Sequence, residues 1–510
     1  GIRAMSPSRE RVTLLVSIFA VASCALAYEL VIATTSSYLL GDSIRVFSFT
    51  IGIFLSAMGL GAFLSERMRG DLLPRFIAIE LAIAAIGGFS IPGLFLAYTY
   101  TENYPLLLYL LLGLLGTLIG FEIPLLVRVL QDYGTLRINL SRVLALDYLG
   151  SLAASLLFPT LLLPALGLLR TSLLFGLVNT AVVLLTCRVF RDHGRFSRRY
   201  TVRALLLGGC LLGAFLASSR LVRWSESRLY TDQIIHARQT PYQRIVLTRW
   251  KDDLRLYLDG SLQFSSIDEY RYHETLVHPL LSALPHRARV LVLGGGDGLA
   301  VREILKYRDV EEITLVDIDP ALVELCRENP MLRRLNRDAL RDPRVTVHHE
   351  DAFRFVQENS RRFQAIVVDL PDPHSEKLAK LYSREFYALL AQSLARDGGI
   401  VVQATSPYFA PAAFRAILAT IRAAGLFATP IHAYVPAFGD WGFVLAAPLR
   451  RDWTRSPPAV ATRFLDPDQW RALFTFPKDL PLEGGAVSTL DHPRILSLYE
   501  AGWQHFFGGG

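Results

Sequence analysis

The sequence predicts an α-helical polytopic membrane domain followed by an α/β domain, the latter a Rossmann-like doubly wound sheet with a small N-terminal β-hairpin subdomain. Three observations predict it. Up to about Ser219 the chain is a succession of long apolar runs, most near the roughly 20 residues that cross ~30 Å of hydrocarbon. Beyond Asp232 short apolar strands alternate with helix-like segments, the pattern of parallel βαβ units. Within that part, Val290–Leu293 runs straight into Gly294-Gly295-Gly296-Asp297-Gly298 and a helix-like stretch from Leu299 to Tyr307. Such glycines let the backbone turn tightly against a nucleotide-like ligand.

The apolar runs lie at roughly 12–33, 46–65, 75–99, 105–130, 142–166, 170–188 and 203–219, about seven helices in a transmembrane domain of residues 1–222. Arginines collect in alternate loops. Arg3, Arg9 and Arg11 precede the first run, and Arg67, Arg69 and Arg75 follow the second. Arg128, Arg137 and Arg142 follow the fourth, and six more from Arg188 to Arg203 follow the sixth. The other loops offer little beyond Arg45 and Arg170. This bias predicts a multi-pass protein of the cell (inner) membrane with a cytoplasmic N-terminus. Seven crossings would place the second domain outside. The glycine-rich seventh run, with Gly208, Gly209 and Gly213, has an interfacial or re-entrant course as its alternative. The net charge of +7 comes largely from these loops, which suits anionic lipid headgroups rather than nucleic acid.

Four acids fall within the apolar runs: Glu29, Glu80, Glu122 and Asp147. At membrane depth a charge marks either function or an interhelical clasp. Tyr28-Glu29-Leu30 and Phe121-Glu122-Ile123 stand 93 positions apart, and at nearly that offset the small-residue run 52–62 matches 145–155. That spacing suggests an internal duplication. Cys24, Cys187, Cys210 and Cys326 have no ligand spacing, so neither a metal site nor a disulfide framework is expected.

Residues 223–285 read as linker and β-rich subdomain, and 286–510 as the Rossmann-like nucleoside-binding domain. Arg244–Trp250 and Leu254–Leu258 alternate apolar and polar residues around Lys251-Asp252-Asp253, which reads as a hairpin. The later strands are Val290–Leu293, Glu312–Val316, Arg344–His348, Ala365–Val368 and Gly399–Gln403. Ligands of such sheets bind at the strands' carboxyl ends. Acids stand at four of those ends: Asp297, Asp317, Asp351 (followed by Ala352), and the pair Asp369 and Asp372. A phosphate cradle is normally free of acid, so Asp297 argues for a cationic ligand such as a sulfonium nucleoside. Any one of these aspartates is explained as well by helix capping. Five at successive strand ends instead describe an acidic pocket for a nucleoside and a polycation.

These residues together resemble the spermidine synthase (polyamine aminopropyltransferase) family, over about Thr240 to Phe443. The resemblance rests on Leu258-Asp259-Gly260 with Gln263, Asp268-Glu269 with Tyr272-His273-Glu274, and Gly294–Gly298. It continues through Val316-Asp317-Ile318-Asp319, Asp351-Ala352-Phe353, Asp369 to Pro373, and Leu381-Tyr382 with Phe386-Tyr387. A membrane-embedded version of the family, with an apolar N-terminal domain, has this layout.

The resemblance implies transfer of the aminopropyl group of decarboxylated S-adenosylmethionine, a co-substrate, to putrescine or a related small polyamine, without a metal. It implies Asp369 as base, Asp372 as amine anchor, and Asp297 as partner of the aminopropyl ammonium. Gln263 and Asp317 are expected on the ribose, Asp351 with Ala352 at the adenine, Gly294 and Gly296 in the cofactor loop, and Tyr272 and His273 along the amine channel. Plain packing is the alternative for these two aromatic residues. A homodimer is implied, and the cosubstrate favours a cytoplasmic catalytic domain. Two departures stand out: Phe438 where the family often has tyrosine, and His374-Ser375 where Gly-Pro often follows the paired aspartates. The alternatives are methyl transfer from S-adenosylmethionine, which Asp297 opposes, and a polyamine transporter or sensor with a regulatory synthase-like domain.

Overall fold

The structure, a computed structural model, describes residues 7–40, 44–101, 103–131, 136–190, 198–229 and 232–507. Arg3, Arg191 and Arg195 of the charge argument lie outside these residues, as do the side chains of Arg9 and Arg137. The chain divides into two compact units, Gly1–Thr231 and Asp232–Gly510. Residues 223–229, expected as linker, continue the helix Arg198–Leu229.

Among its described residues the first unit consists of helices joined by short turns. Glu10–Ser37, Val46–Ser65, Tyr104–Leu130, Leu140–Val189 and Arg198–Ser218 are long and apolar enough to cross a bilayer, by length and composition. Leu72–Gly88 and Ser90–Tyr98, bent by 40° at Phe89, make a sixth if taken as one span. The 50 residues of Leu140–Val189 are too many for one straight crossing. Ser23 Oγ donates to Gly150 O at 3.0 Å, while the next residue, Cys24, sends its thiol to Phe175 O at 3.7 Å. A straight helix would hold Gly150 and Phe175 about 37 Å apart. The chain therefore reverses between them, and the helical geometry breaks at Gly167 (φ 74°, ψ 176°). Counting both arms, and the bent pair once, gives seven helical passes among the described residues.

The offset of 93 reappears in the packing. Pro7–Leu40 packs on Leu136–Leu157, and Ile44–Ser65 packs on Tyr104–Gly120, which exchanges the two members of each matched pair. Ser23 against Gly150 has its counterpart in Gly116 against Ala57, where a Cβ on the glycine would come within 2.9 Å of the alanine methyl. Small residues are needed at both crossings because the backbones touch.

The second unit opens with an antiparallel four-stranded sheet, β1 (Gln233–Gln239), β2 (Arg244–Trp250), β3 (Asp253–Leu258) and β4 (Ser261–Ser265), in that spatial order. The expected hairpin is β2–β3, its turn allowed by positive φ at Lys251. Helix Glu269–Ala283 follows. The larger sheet comprises β5 (Arg289–Gly294), β6 (Glu312–Val316), β7 (Val345–His348), β8 (Phe363–Asp369), β9 (Leu394–Gln403), β10 (Phe427–Val435) and β11 (Gly439–Ala447). Its order is β10-β11-β9-β8-β5-β6-β7. The sheet is parallel from β9 to β7 but mixed overall, since β11 runs antiparallel to β9 and β10 to β11. In β5, Val290 and Val292 join one core while Leu291 and Leu293 join the other. Burial on both faces is why this strand reads as an unbroken apolar run.

Candidate active site

Four strand ends and two helices build the site. Gly294 (φ 78°) and Gly295 (φ 67°) turn the chain after β5, and Gly298 (φ 80°) opens helix Leu299–Ile304. Gly294 pairs in register with Asp369 at the end of β8, so close that a Cβ would overlap the Asp369 carbonyl. Gly296 N donates to Asp317 Oδ2 at 3.0 Å, and a Cβ there would sit 2.5 Å from that oxygen. The loop thus touches the acids of two neighbouring strands. Asp297 Oδ1 accepts from Leu299 N at 2.8 Å. Burial pushes Asp297 and Asp317 each up to about 6, because a desolvated carboxylate is disfavoured.

Helix Glu269–Ala283 delivers Tyr272 and His273. Tyr272 OH donates to Asp369 Oδ1 at 2.7 Å. The Tyr272 ring packs edge-on against Phe438 and Phe443, at 6.1 and 5.1 Å between centroids. The hydroxyl on Asp369 thus comes from helix Glu269–Ala283, and Phe438 contributes ring packing to that tyrosine. Burial raises Asp369 above the usual carboxylate range, with the His273 charge and the Tyr272 hydrogen bond opposing. His273 Nδ1 lies 2.9 Å from Glu269 Oε2. Burial opposes its charge, but the Glu269 carboxylate outweighs burial and lifts it to about 9. Glu269 is gripped by both Nη atoms of Arg302, at 2.8 and 2.9 Å. Arg302 Nε reaches Glu303, whose other oxygen pairs with His278 at 2.9 Å.

Asp372 stands apart from any cation among its partners. Oδ1 accepts from Gln403 Nε2 at 3.1 Å and Oδ2 from Thr405 Oγ1 at 3.0 Å, and Tyr499 OH adds a third hydrogen bond. Burial still pushes it up to about 6. Thr405 holds φ 58°, a left-handed conformation costly for a β-branched residue, so the surrounding contacts enforce it.

Residues 269–450 match the family described as spermine/spermidine synthase domain. The chain is 48% identical over 507 residues to polyamine aminopropyltransferase 2 of Ralstonia nicotianae, covering 98% of this chain and 99% of that one. It is 43% identical over 494 residues to polyamine aminopropyltransferase of Leptospira interrogans, covering 96% and 98%. The chain belongs to the polyamine aminopropyltransferase family. A solved spermidine synthase in complex with the transition state analogue AdoDATO is 22% identical, with a TM-score of 0.46, covering 52% of this chain and 89% of that one.

Not every residue expected at the site of this family member meets the others. Asp351 caps helix Ala352–Glu358 through Oδ1, to Phe353 N at 3.0 Å and Arg354 N at 3.1 Å. Its Oδ2 pairs with Lys380 Nζ at 2.7 Å, and Ala352 beside it is buried. Gln263 lies on β4 and donates to Ser261 O at 3.1 Å, within its own turn. Gln243, which the sequence reading passed over, donates instead into the cluster, to Asp319 Oδ2 at 3.0 Å beside Thr240 Oγ1 at 2.8 Å. Asp319 N in turn donates to Asp317 Oδ1 at 2.9 Å. Gln403, Thr405, Lys380 and Tyr499 were missed as well. None carries a motif of its own, although Gln403 ends the last parallel strand and Thr405 follows it, where strand-end logic would have found them. Among the described residues no group of three His, Cys, Asp or Glu is placed to hold a metal ion.

Proposed function

We propose that the α/β unit transfers the aminopropyl group of decarboxylated S-adenosylmethionine to putrescine or a related polyamine, releasing methylthioadenosine. The observation that carries this is the Asp369–Tyr272 pair beside the Gly294–Gly298 loop. An amine attacks the methylene next to the sulfonium, the C–S bond breaks with its electrons going to sulfur, and one ammonium proton must leave. Tyr272 occupies Asp369 Oδ1, and Oδ2 lies by Gly295, so the carboxylate is oriented with one oxygen for that proton. Its raised pKa suits a base that works near neutrality. Asp297 belongs to that loop, within electrostatic reach of the charged His273; its carboxylate pairs with the aminopropyl ammonium and repels a donor that keeps its carboxylate. Asp317 takes the ribose hydroxyls, and Asp372 anchors the remote ammonium of the acceptor. Detergent-purified protein offered putrescine, cadaverine and spermidine with either nucleoside should yield an aminopropylated amine and methylthioadenosine, by mass spectrometry, from the decarboxylated form alone. A methylated product would move the reading to methyl transfer. Asp369→Asn should lower kcat by about 10²- to 10⁴-fold with nucleoside binding retained.

The helical unit is read as crossing the membrane, because its outward residues are apolar: Leu55, Phe63, Leu110, Leu156 and Leu216 are all exposed. A homodimer belongs to the same proposal, tested by mass photometry in detergent. One observation favours a second activity for this unit. Glu80 and Glu122 are buried within hydrogen-bond reach of each other, and neither Glu80 oxygen nor the buried Asn179 amide has another partner. They sit in two packed three-transit repeats of the kind used for transport. Polyamine flux into proteoliposomes, measured in the Asp369→Asn background and lost on Glu122→Gln, supports passage; no flux under any gradient removes it.

A further inference from the structure

The C-terminal helix Arg494–Phe507 lies beyond the residues 269–450 matched to the family, yet it reaches the site. Tyr499 is the third neutral donor on Asp372, after Gln403 and Thr405. A carboxylate offers about four acceptor positions, so roughly one is left for a ligand. On the next turn Trp503 packs on the Tyr499 ring, 6.0 Å between centroids, and on Trp441 at 6.5 Å. The contacts continue from Trp441 to Phe438 at 5.1 Å and from Phe438 to Tyr272 at 6.1 Å. An unbroken aromatic arc thus joins the two aspartates, with one phenol holding Asp369 and the other holding Asp372. Trp441 Nε1, within that arc, is buried without an acceptor. The helix is seated firmly: Ile495 and Leu496 enter the core, and Gly502 lies so close to Ala410 that a Cβ would come within 2.7 Å of its Cα.

We propose that this helix is part of the acceptor site, with Tyr499 positioning Asp372 for the amine's remote ammonium and Tyr499 and Trp503 walling the slot for its alkyl chain. Methylenes pack well on aromatic faces, and ammonium groups are drawn to them. Acceptor preference is then set partly by an element outside the synthase domain. The inference rests on the reading of Asp372 as amine anchor, and the experiment separates the two. Full-length protein is assayed at saturating decarboxylated S-adenosylmethionine with the amine varied, and then the reverse. Tyr499→Phe keeps the ring and its packing, and it should raise the acceptor KM about three- to tenfold, the worth of one hydrogen bond. The KM for the nucleoside stays as in the wild type, and kcat changes far less than the acceptor KM. In the double variant with Asp372→Asn, the acceptor KM should be no higher than in Asp372→Asn alone, because Tyr499 acts through that carboxylate. If Asp372→Asn raises the acceptor KM while Tyr499→Phe leaves it unchanged, the role of the helix is overturned and the anchor stands. If Asp372→Asn itself has no effect, the anchor reading fails and takes this proposal with it. Effects that multiply in the double variant, or a rise in both substrates' KM, overturn it too.

Discussion

Asp372 is half-buried with three neutral donors and no cation among its partners, so hydrogen bonds soften its desolvation but do not cancel it, and it is pushed up to about 6. A protonated carboxyl cannot pair with an ammonium. Acceptor binding is therefore fully present well above pH 6 and is lost as the pH falls through that value. The acceptor KM should rise roughly tenfold per pH unit below about 6 if this group alone is responsible. Asp297, also pushed up to about 6, should impose the same limb on the KM of decarboxylated S-adenosylmethionine. His273, lifted to about 9, keeps its charge across this range and adds no limb of its own. Steady-state profiles from pH 5 to 8 check this, and Asp372→Asn should flatten the acceptor limb only. At this scale the acids were legible, because strand ends expose them in order along the chain. Their partners were not. Tyr272 was expected to line a channel, and only the packing of helix Glu269–Ala283 shows its hydroxyl on Asp369. Asp351, which the resemblance places at the adenine, has its oxygens on a helix cap and on Lys380, partners that its position in sequence does not disclose.

Elements were legible where their periodicity was unmixed. Every parallel strand was found: burial on both faces leaves the inner ones as short apolar runs, while β7, at the sheet edge, shows the alternation Val345-Thr346-Val347. The antiparallel margin was harder to read. β10 contains Pro430, which an edge strand tolerates and a central strand would not. β9 begins at Leu394, but Asp397-Gly398-Gly399 reads as a turn, so the strand was first traced only from Gly399. Two changes test the elements that position the site. Gly296→Ala puts a methyl on Asp317 Oδ2, and either the loop or the acid must move; the KM for decarboxylated S-adenosylmethionine should rise about tenfold, with the fold intact by circular dichroism. Glu274, in the same helix as Tyr272, accepts from the backbone N–H groups of Arg463, Phe464 and Leu465 at 2.6 to 3.1 Å. Glu274→Ala removes the acceptor of three backbone donors, of which the one on Leu465 is buried, so the α/β unit should lose about 2 kcal/mol of stability, read by denaturant titration. A loss under about 1 kcal/mol would mean that water replaces the carboxylate, and the helix is then anchored by its apolar face alone.

For the whole chain the decisive quantity is the parity of its crossings. The reversal at Gly167 divides the longest helical stretch, and the bent pair around Phe89 counts once, which gives seven transits. An interfacial course for the seventh does not fit its packing. Gly208 lies by Thr180, Leu211 by Gly176, and Arg170 Nε donates to Ser218 Oγ at 2.7 Å. Residues 208–218 therefore run antiparallel along 170–180, and they cross wherever that helix crosses. Seven crossings put the chain's two ends on opposite sides of the bilayer. A cytoplasmic N-terminus, read from the arginine bias, then excludes a cytoplasmic catalytic unit, read from the supply of its nucleoside. The nucleoside argument is the stronger, since an enzyme parted from its cosubstrate has no turnover to select. We therefore propose that the catalytic unit lies inside, at the expense of the loop-charge rule. Paired fluorescent-protein and phosphatase reporters at each terminus should report opposite compartments, with fluorescence at the C-terminus and phosphatase activity at the N-terminus. Both termini in the cytoplasm would mean that one of the seven, with the bent pair around Phe89 the first to suspect, re-enters rather than crosses. Phosphatase activity at the C-terminus would uphold the arginine rule and require that the nucleoside be exported to meet the enzyme.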